Sequence, residues 1–165
     1  MTPTLPPSGD TFFLRSGGRL GTRTGADAKA DTVPSADGTN HDGTPYAPLV
    51  YEVRDVVGTH DPARATDFTF RTDAGTRVGL GRQARVSYDL TGDGTFERVE
   101  TFRYFATDPV PGCEEYRGSR AGSHSASGRL GDMSGGTIRV EVWNALGDGT
   151  AALEVDSASV LKVPF

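Results

Sequence analysis

Apolar residues recur at every second position along most of the chain from residue 48 onward. In "PLVYEV", Leu49, Tyr51 and Val53 alternate with Val50 and Glu52. The segments "DFTFRT" and "ARVSYDL" alternate in the same way. A period of two is typical of a β-strand with one buried face. No stretch of eleven or more residues carries the i, i+3, i+4, i+7 apolar stripe of an amphipathic helix, so the pattern predicts strands throughout.

Glycine and proline separate these apolar runs into short elements. The chain of 165 residues contains 22 glycines and 10 prolines, and "TFFLRSGGRLGT" predicts two short strands around Ser16-Gly17-Gly18. We therefore predict an all-β fold, an antiparallel two-sheet β-sandwich of jelly-roll type. Residues 1–10 are predicted to be the end of a linker, and residues 11–165 a single module. Residues 23–47 lack apolar periodicity, and a loop of that length is usually functional or disordered.

Charge and length exclude several classes of partner. The net charge of −5 argues against general binding of nucleic acid or of anionic membranes. No apolar run approaches the ~20 residues needed to span a bilayer. A single cysteine, Cys113, allows no internal disulfide. We expect a monomer in isolation, with no nucleic-acid or membrane partner.

The first ten residues, "MTPTLPPSGD", have neither a basic n-region nor an apolar h-region. We therefore expect no signal peptide within this chain. The chain is then either a cytoplasmic protein or a module of a longer secreted protein. We favour the second interpretation and expect an extracellular location.

The segment "DLTGDGTFERVE", residues 89–100, has the spacing of a twelve-residue calcium loop with glycine at position 6. The flanking segments are predicted strands, so Glu100 at position 12 would stand roughly 20 Å along the exit strand. It could not reach an ion at the tip. A smaller site remains open, and its candidate ligands are Asp89, Thr91, Asp93, the carbonyl of Thr95, and Glu97. The alternative is a plain Asp-Gly hairpin with solvated carboxylates.

The segment "TIRVEVWNAL" predicts a candidate sugar-binding face. Ile138, Val140 and Val142 share one face of the strand, and Arg139, Glu141 and Trp143 share the other. An indole can stack on a pyranose ring while flanking charged groups hydrogen-bond the hydroxyls. The alternative is that this tryptophan, the only one in the chain, lies in the core.

Other chemistry-bearing residues are scattered. Tyr104 and Tyr116 are candidate second stacking platforms, and His41 in "NHDGTPY" is a candidate sugar or metal contact, although a loop histidine is more often solvated. Glu114 and Glu115 are adjacent, so in a strand they would point to opposite faces, which does not suit an acid/base pair. No catalytic residue is predicted.

Three segments, "DTVPSADGTNHDGTPYAPLVYEV", "RVSYDLTGDGTFERVETFRYFATDP" and "GGTIRVEVWNALG", resemble accessory β-sandwich modules of secreted actinobacterial glycoside hydrolases. The resemblance implies a non-catalytic carbohydrate-binding module, often with a structural calcium, that targets an appended enzyme to a polysaccharide such as a β-glucan. Two alternatives stay open. One is a small β-sandwich polysaccharide lyase or hydrolase, and the other is a structural spacer domain without a ligand.

Overall fold

A computed structural model of the protein describes residues 11–22, 30–34, 38–39, 45, 47–59, 61, 64–73, 82–102, 113–120, 132–144, 146–147, 151–155 and 159–164. These residues form thirteen strands and no helix. The strands are β1 (Thr11–Arg15), β2 (Arg19–Gly21), β3 (Ala30–Val33), β4 (Gly38–Thr39), β5 (Leu49–Gly58), β6 (Thr66–Asp73), β7 (Arg82–Asp89), β8 (Arg98–Phe102), β9 (Cys113–Arg120), β10 (Met133–Asn144), β11 (Leu146–Gly147), β12 (Ala151–Glu154) and β13 (Val160–Lys162). The predicted all-β class is confirmed. In this part of the chain no helix is long and apolar enough to cross a bilayer.

Eleven of the described strands belong to one sheet, in the order β3-β12-β6-β13-β1-β2-β5-β10-β7-β8, with β9 paired to β6. The predicted separation into two sheets is not found. The reason is the short strand β2, which pairs with β1 and also runs parallel to β5 at Arg19 and Glu52. It therefore joins the strands from β3 to β1 in the sheet order to the strands from β5 to β8. The other described pairings are antiparallel, and β4 and β11 form a separate two-stranded ladder.

The sheet curls into a nearly closed, barrel-like shape around one hydrophobic core. The ring of Phe68 on β6 packs edge-on against Phe102 on β8, with 4.7 Å between ring centroids. The hydroxyls of Thr66 and Tyr88 are hydrogen-bonded at 2.9 Å. These contacts bring the inner face of β6 against the inner faces of β7 and β8, so strands distant in the sheet order share the same interior.

The predicted alternation of faces holds on the strands that build this interior. Tyr51 on β5, Val86 on β7 and Ile138 on β10 are buried in one cluster. The side chains between them form a second face, opposite the core, on which the register places Arg139 beside Ser87 and Glu141 beside Arg85. This second face carries the candidate site.

Three described strands lie in segments for which no strand is predicted. They are β3 and β4, within residues 23–47, and β9, whose sequence CEEYRGSR shows no alternation of apolar and polar residues. Strand β3 gains its hydrogen bonds from β12, and β9 pairs with β6 along its full length. Their sequences have little alternation of their own, so the partner strands determine that they form.

Candidate ligand-binding cleft

Two β-bulges lie opposite each other where β5 and β10 pair. On β10, Gly135 is an extra residue between Ser134 and Gly136, and on β5, Arg54 and Asp55 together oppose the single residue Thr137. The two shifts cancel, so the register is the same before and after the pair. A bulge re-aims the side chains next to it. Here the bulges place both Arg54 and Asp55 on the face opposite the core.

The loop between β7 and β8 is wound around the carboxylate of Asp89. Backbone amides of Thr91, Gly92 and Asp93 donate to Asp89 Oδ1 at 3.3, 2.8 and 3.3 Å, and the amide of Gly94 donates to Oδ2 at 2.7 Å. An aspartate side chain at the start of a loop commonly accepts hydrogen bonds from the backbone amides that follow it. The loop spans residues 89–97 between the last paired residues of the two strands, so it is wider than the plain Asp-Gly hairpin turn of the alternative interpretation.

The environment of Asp89 lowers the pKa of its carboxyl group. Burial raises this pKa, but the donated hydrogen bonds from Gly94, Gly92, Asp93 and Thr91 outweigh it. Hydrogen bonds to the ionised form favour that form. Asp89 is therefore a carboxylate at neutral pH although only 2% of the residue is exposed.

Three carboxylates of this loop meet at one point. Oxygen atoms of Asp89, Asp93 and Glu97 lie within 4.8 Å of one another, and together they could hold a metal ion. Glu97 Oε2 accepts a hydrogen bond from the amide of Leu90 at 2.7 Å, and Asp93 Oδ1 accepts one from Thr95 at 2.8 Å. The loop backbone thus orients each carboxylate and leaves further lone pairs on every one.

The remaining predicted ion ligands have a mixed outcome. Thr91 and Thr95 lie in the same loop with exposed side chains, and their role as ligands stays a prediction. Glu100 is 1% exposed and its carboxylate contacts Arg98 Nε at 3.2 Å. The expectation that Glu100 does not belong to the loop site is therefore confirmed.

Glycine at position 92 allows the loop to pack against the bulge of β10. A Cβ at Gly92, where φ is +77°, would lie 2.3 Å from the carbonyl oxygen of Gly135. The amide of Ser134 donates to the carbonyl of Leu90 at 2.9 Å. Because a residue with a Cβ could not approach so closely, glycine at position 92 fixes the loop against the sheet.

An aromatic and an arginine side chain connect the loop to the sheet face. The guanidinium of Arg139 lies 4.6 Å from the centroid of the Phe96 ring, in the range of a cation–π contact. Arg139 Nη2 also lies 3.3 Å from Glu52 Oε1. Its Nε is buried without a hydrogen-bond partner, so any donors that a ligand can reach belong to the terminal nitrogens of this side chain, which is 35% exposed.

Loop, bulges and sheet face together enclose an open cleft of about 470 Å³. This volume falls within the range of small-molecule sites, roughly 300–1,000 Å³. The lining is mostly charged and polar, with Phe96 as its aromatic side chain. The charged lining side chains are Glu52, Arg54, Asp55, Asp89, Asp93 and Arg139. Of the predicted sugar-binding residues, the structure brings Arg139 to this cleft together with the predicted ion ligands Asp89 and Asp93.

The prediction of Trp143 as an exposed stacking platform is wrong. Its face of β10 is the predicted one, but the residue is 0% exposed, so no sugar can reach the indole. Glu141 is also buried, and its carboxylate accepts hydrogen bonds from Arg85 Nε at 3.0 Å and Nη2 at 2.8 Å. The alternation along β10 fixes the face of each side chain, whereas its exposure depends on tertiary packing over that face.

Three other predicted contacts are not located. Tyr104 and His41 lie outside the described residues, and for Tyr116 the description covers only the backbone of β9. Their roles stay predictions.

The cleft contains residues that sequence reasoning missed, namely Phe96, Glu52, Arg54 and Asp55. One signal was available. The apolar positions of β5 change from a spacing of two, up to Val53, to a spacing of three at the buried Val56. Such an interruption of the alternation is expected for a bulge.

A second polar cluster lies inside the core and differs from the cleft in its lack of exposure. Arg98 and Glu100 pair at 3.2 Å, and Arg98 Nη2 donates to the carbonyl of Arg64 at 2.9 Å. The guanidinium lies 5.7 Å from the ring centroid of Tyr88, whose pKa is raised by burial. These side chains are enclosed by the sheet, so they support the fold and cannot meet a ligand.

No protein-family model matches the chain, and no curated protein matches it. Among solved structures it is similar to an aminopeptidase from the marine sediment archaeon Thaumarchaeota archaeon, with a TM-score of 0.52 and 13% identity over 93% of this chain and 36% of that one. It also matches infectious bursal disease virus Gx strain with a TM-score of 0.26 and 10% identity, over 82% of this chain and 36% of that chain. The chain thus spans about a third of each protein. The first likeness shows the β fold alone, and the second carries no argument.

Proposed function

We propose that this chain is a non-catalytic, calcium-binding module that holds a polysaccharide in the cleft between the loop of residues 89–97 and the sheet. One observation supports the proposal above the others. Candidate ion ligands, an aromatic ring and a partly exposed arginine line a single open cleft of ligand size. In this proposal the cleft replaces Trp143 as the sugar-binding surface.

The donor set of the loop favours calcium among divalent ions. Calcium takes six to eight oxygen ligands at about 2.3–2.6 Å in flexible geometry, whereas magnesium requires a near-octahedral shell at about 2.0–2.1 Å. Oxygens on opposite sides of a calcium ion stand about 5 Å apart, which accommodates three carboxylates within 4.8 Å of one another. Asp89, Asp93 and Glu97 would hold the ion, and water would complete its shell.

The chemistry of the cleft suits a polyhydroxylated ligand. Sugar hydroxyls both donate and accept hydrogen bonds, and the lining offers carboxylates as acceptors and guanidinium groups as donors. Phe96 adds an apolar surface for ring C–H groups. With Asp89 and Asp93 assigned to the ion, the remaining charged lining is two carboxylates, of Glu52 and Asp55, and two guanidinium groups, of Arg54 and Arg139, and this balance suits a neutral glycan.

Affinity electrophoresis tests the proposal. The purified chain is run in native gels containing laminarin, xyloglucan, pustulan, dextran or mannan, each with calcium and with EDTA. We expect one glycan to retard the protein, and Phe96→Ala to weaken that retardation at least tenfold. Loss of retardation in EDTA supports the ion as part of the site.

Val99→Ala is the control, because Val99 is an exposed apolar side chain, 40% exposed, on strand β8 and does not line the cleft. It should leave retardation unchanged. Trp143→Ala is not informative, because truncating a fully buried tryptophan costs about 3–5 kcal/mol of stability. Absence of retardation in every gel, with and without calcium, would contradict the proposal.

A second candidate function is a structural domain of a larger enzyme that binds no ligand. The observation that favours it is the likeness to about a third of the aminopeptidase. This candidate predicts no retardation by any glycan, so the same gels separate the two.

A further inference from the structure

We propose that Arg54 and Asp55 act as a pair of ligand-contacting residues that determine which hydroxyl arrangement the cleft accepts. This inference rests on the proposed function of the cleft. In a regular strand, neighbouring residues such as these point to opposite faces. The structure instead brings both side chains to the same cleft.

The bulge on β5 produces this arrangement. Val53 opposes Ile138 and Val56 opposes Gly136, so Arg54 and Asp55 together face Thr137. Val56 remains buried in the core, while both bulged residues are exposed. Because the opposing bulge at Gly135 restores the register, the pair is turned outward with no shift of the rest of the sheet.

The backbone of Asp55 is in a strained conformation. Its φ is 59°, in the left-handed region that glycine adopts freely and aspartate adopts at an energetic cost. Its carboxylate makes no hydrogen bond or ion pair with any described residue, and the same is true of the Arg54 guanidinium. Among the residues that the structure describes, the carboxylate thus has no contact that would offset the strain. Strain of this kind, where the fold does not use the side chain, is concentrated at ligand sites.

Adjacent guanidinium and carboxylate groups complement a specific ligand chemistry. The guanidinium donates to hydroxyl or ring oxygens, and the carboxylate accepts from a hydroxyl. Two neighbouring hydroxyls of a sugar can bond to the two groups at once. Because charged groups form the stronger hydrogen bonds, this pair would separate sugars by the orientation of adjacent hydroxyls.

We expect substitution of Asp55 to maintain or raise stability while it weakens glycan binding. Asp55→Gly relieves the left-handed strain, so its thermal midpoint should equal or exceed that of the wild type. Its retardation by the glycan that retards the wild type, among laminarin, xyloglucan, pustulan, dextran and mannan, should weaken at least tenfold. Arg54→Gln should weaken it to a similar degree. Val57→Thr is the matched control, because Val57 is exposed on the same strand and lies outside the cleft.

The outcomes separate this inference from the proposed function. Weakened retardation in both variants, with an unchanged or raised midpoint and a normal control, supports the pair. Full retardation of Asp55→Gly and Arg54→Gln beside a retarded wild type overturns the pair and leaves the cleft proposal standing. A lower midpoint shared by Asp55→Gly and Asp55→Asn also overturns it, because asparagine does not add the chain entropy that glycine adds to the unfolded state, and the carboxylate would then support the fold. A wild type that no glycan retards overturns both proposals.

Discussion

Two arginine–glutamate pairs of nearly equal length lie on opposite faces of this sheet. Arg98 and Glu100 approach to 3.2 Å with side-chain exposures of 0% and 2%, whereas Arg139 and Glu52 approach to 3.3 Å with exposures of 35% and 22%. Their chemistry is the same, and they differ in their access to water. That difference assigns the first pair to the fold and the second to the cleft.

Burial makes the partners of the first pair depend on each other. A charge removed from water is costly, and its partner and hydrogen bonds must offset that cost. Arg98 has Glu100, the Arg64 carbonyl and the Tyr88 ring within reach. Arg139 is partly solvated, so its ion pair contributes little to stability and its donors can turn to a ligand.

The largest expected effect comes from breaking the buried pair. Arg98→Met removes the ion-pair partner of the buried Glu100 carboxylate and should lower the free energy of unfolding by about 3–5 kcal/mol. Urea denaturation measures this change. The double variant Arg98→Met with Glu100→Leu should recover much of the loss, because it removes both charges. A loss below about 1 kcal/mol in the single variant would show that the pair is not buried as described.

A smaller loss of stability is expected from substitution of two glycines of the loop, and the two losses should differ. Gly92 and Gly94 both have positive φ, but a Cβ at Gly94 meets nothing within 4 Å, whereas one at Gly92 meets the Gly135 carbonyl. Gly94→Ala should cost about 1–2 kcal/mol from backbone strain. Gly92→Ala should cost a further 1–3 kcal/mol, roughly, from the steric conflict. Equal losses in urea denaturation would contradict the docking of the loop on β10.

Asp89 should make stability depend on pH. Its pKa is lowered in the folded protein, so its contribution is present above the unfolded pKa of about 3.9 and is lost as the pH falls through the folded value. Asp89→Asn should cost about 2 kcal/mol at pH 7, since a charged acceptor of several amides is replaced by a neutral one. The gap between variant and wild type should narrow below about pH 4. A constant gap across a pH series of urea unfolding curves would argue against the lowered pKa.

The smallest stability effect is expected in the cleft. Arg139→Gln should change the free energy of unfolding by about 1 kcal/mol or less, yet glycan retardation should be lost. Val57→Thr is the control, because Val57 is exposed on strand β5 and does not line the cleft. If the two variants lose retardation equally, the site is not the cleft.

The sequence could predict features that nearby residues determine, but not features that depend on contacts between distant segments. The strands with a clear period of two, such as those around Tyr51 and Val86, were predictable because one buried face imposes the alternation locally. The exclusion of Glu100 from the loop site also followed from strand geometry. The burial of Trp143 did not follow, because alternation gives a side chain its face but not what covers that face.

The cleft itself was only partly predictable. Asp89, Asp93 and Glu97 were found through their spacing, and Arg139 through its face of β10. Phe96 and the pair Arg54–Asp55 reach the cleft because of a loop that folds onto the sheet and two opposed bulges. Both features depend on contacts between segments about 40 residues or more apart in the sequence, which no local pattern records.

Amide chemical shift mapping tests the central claim most directly. The ¹⁵N-labelled chain would be titrated with calcium and then with the glycan that retards it in the gels. We predict that calcium shifts the amides of the loop around Asp93, and that the glycan shifts those of Asp55, Gly135, Thr137 and Arg139. Glycan shifts confined to another surface, such as the small pocket of Gly18, Asp31 and Tyr51, would contradict the account.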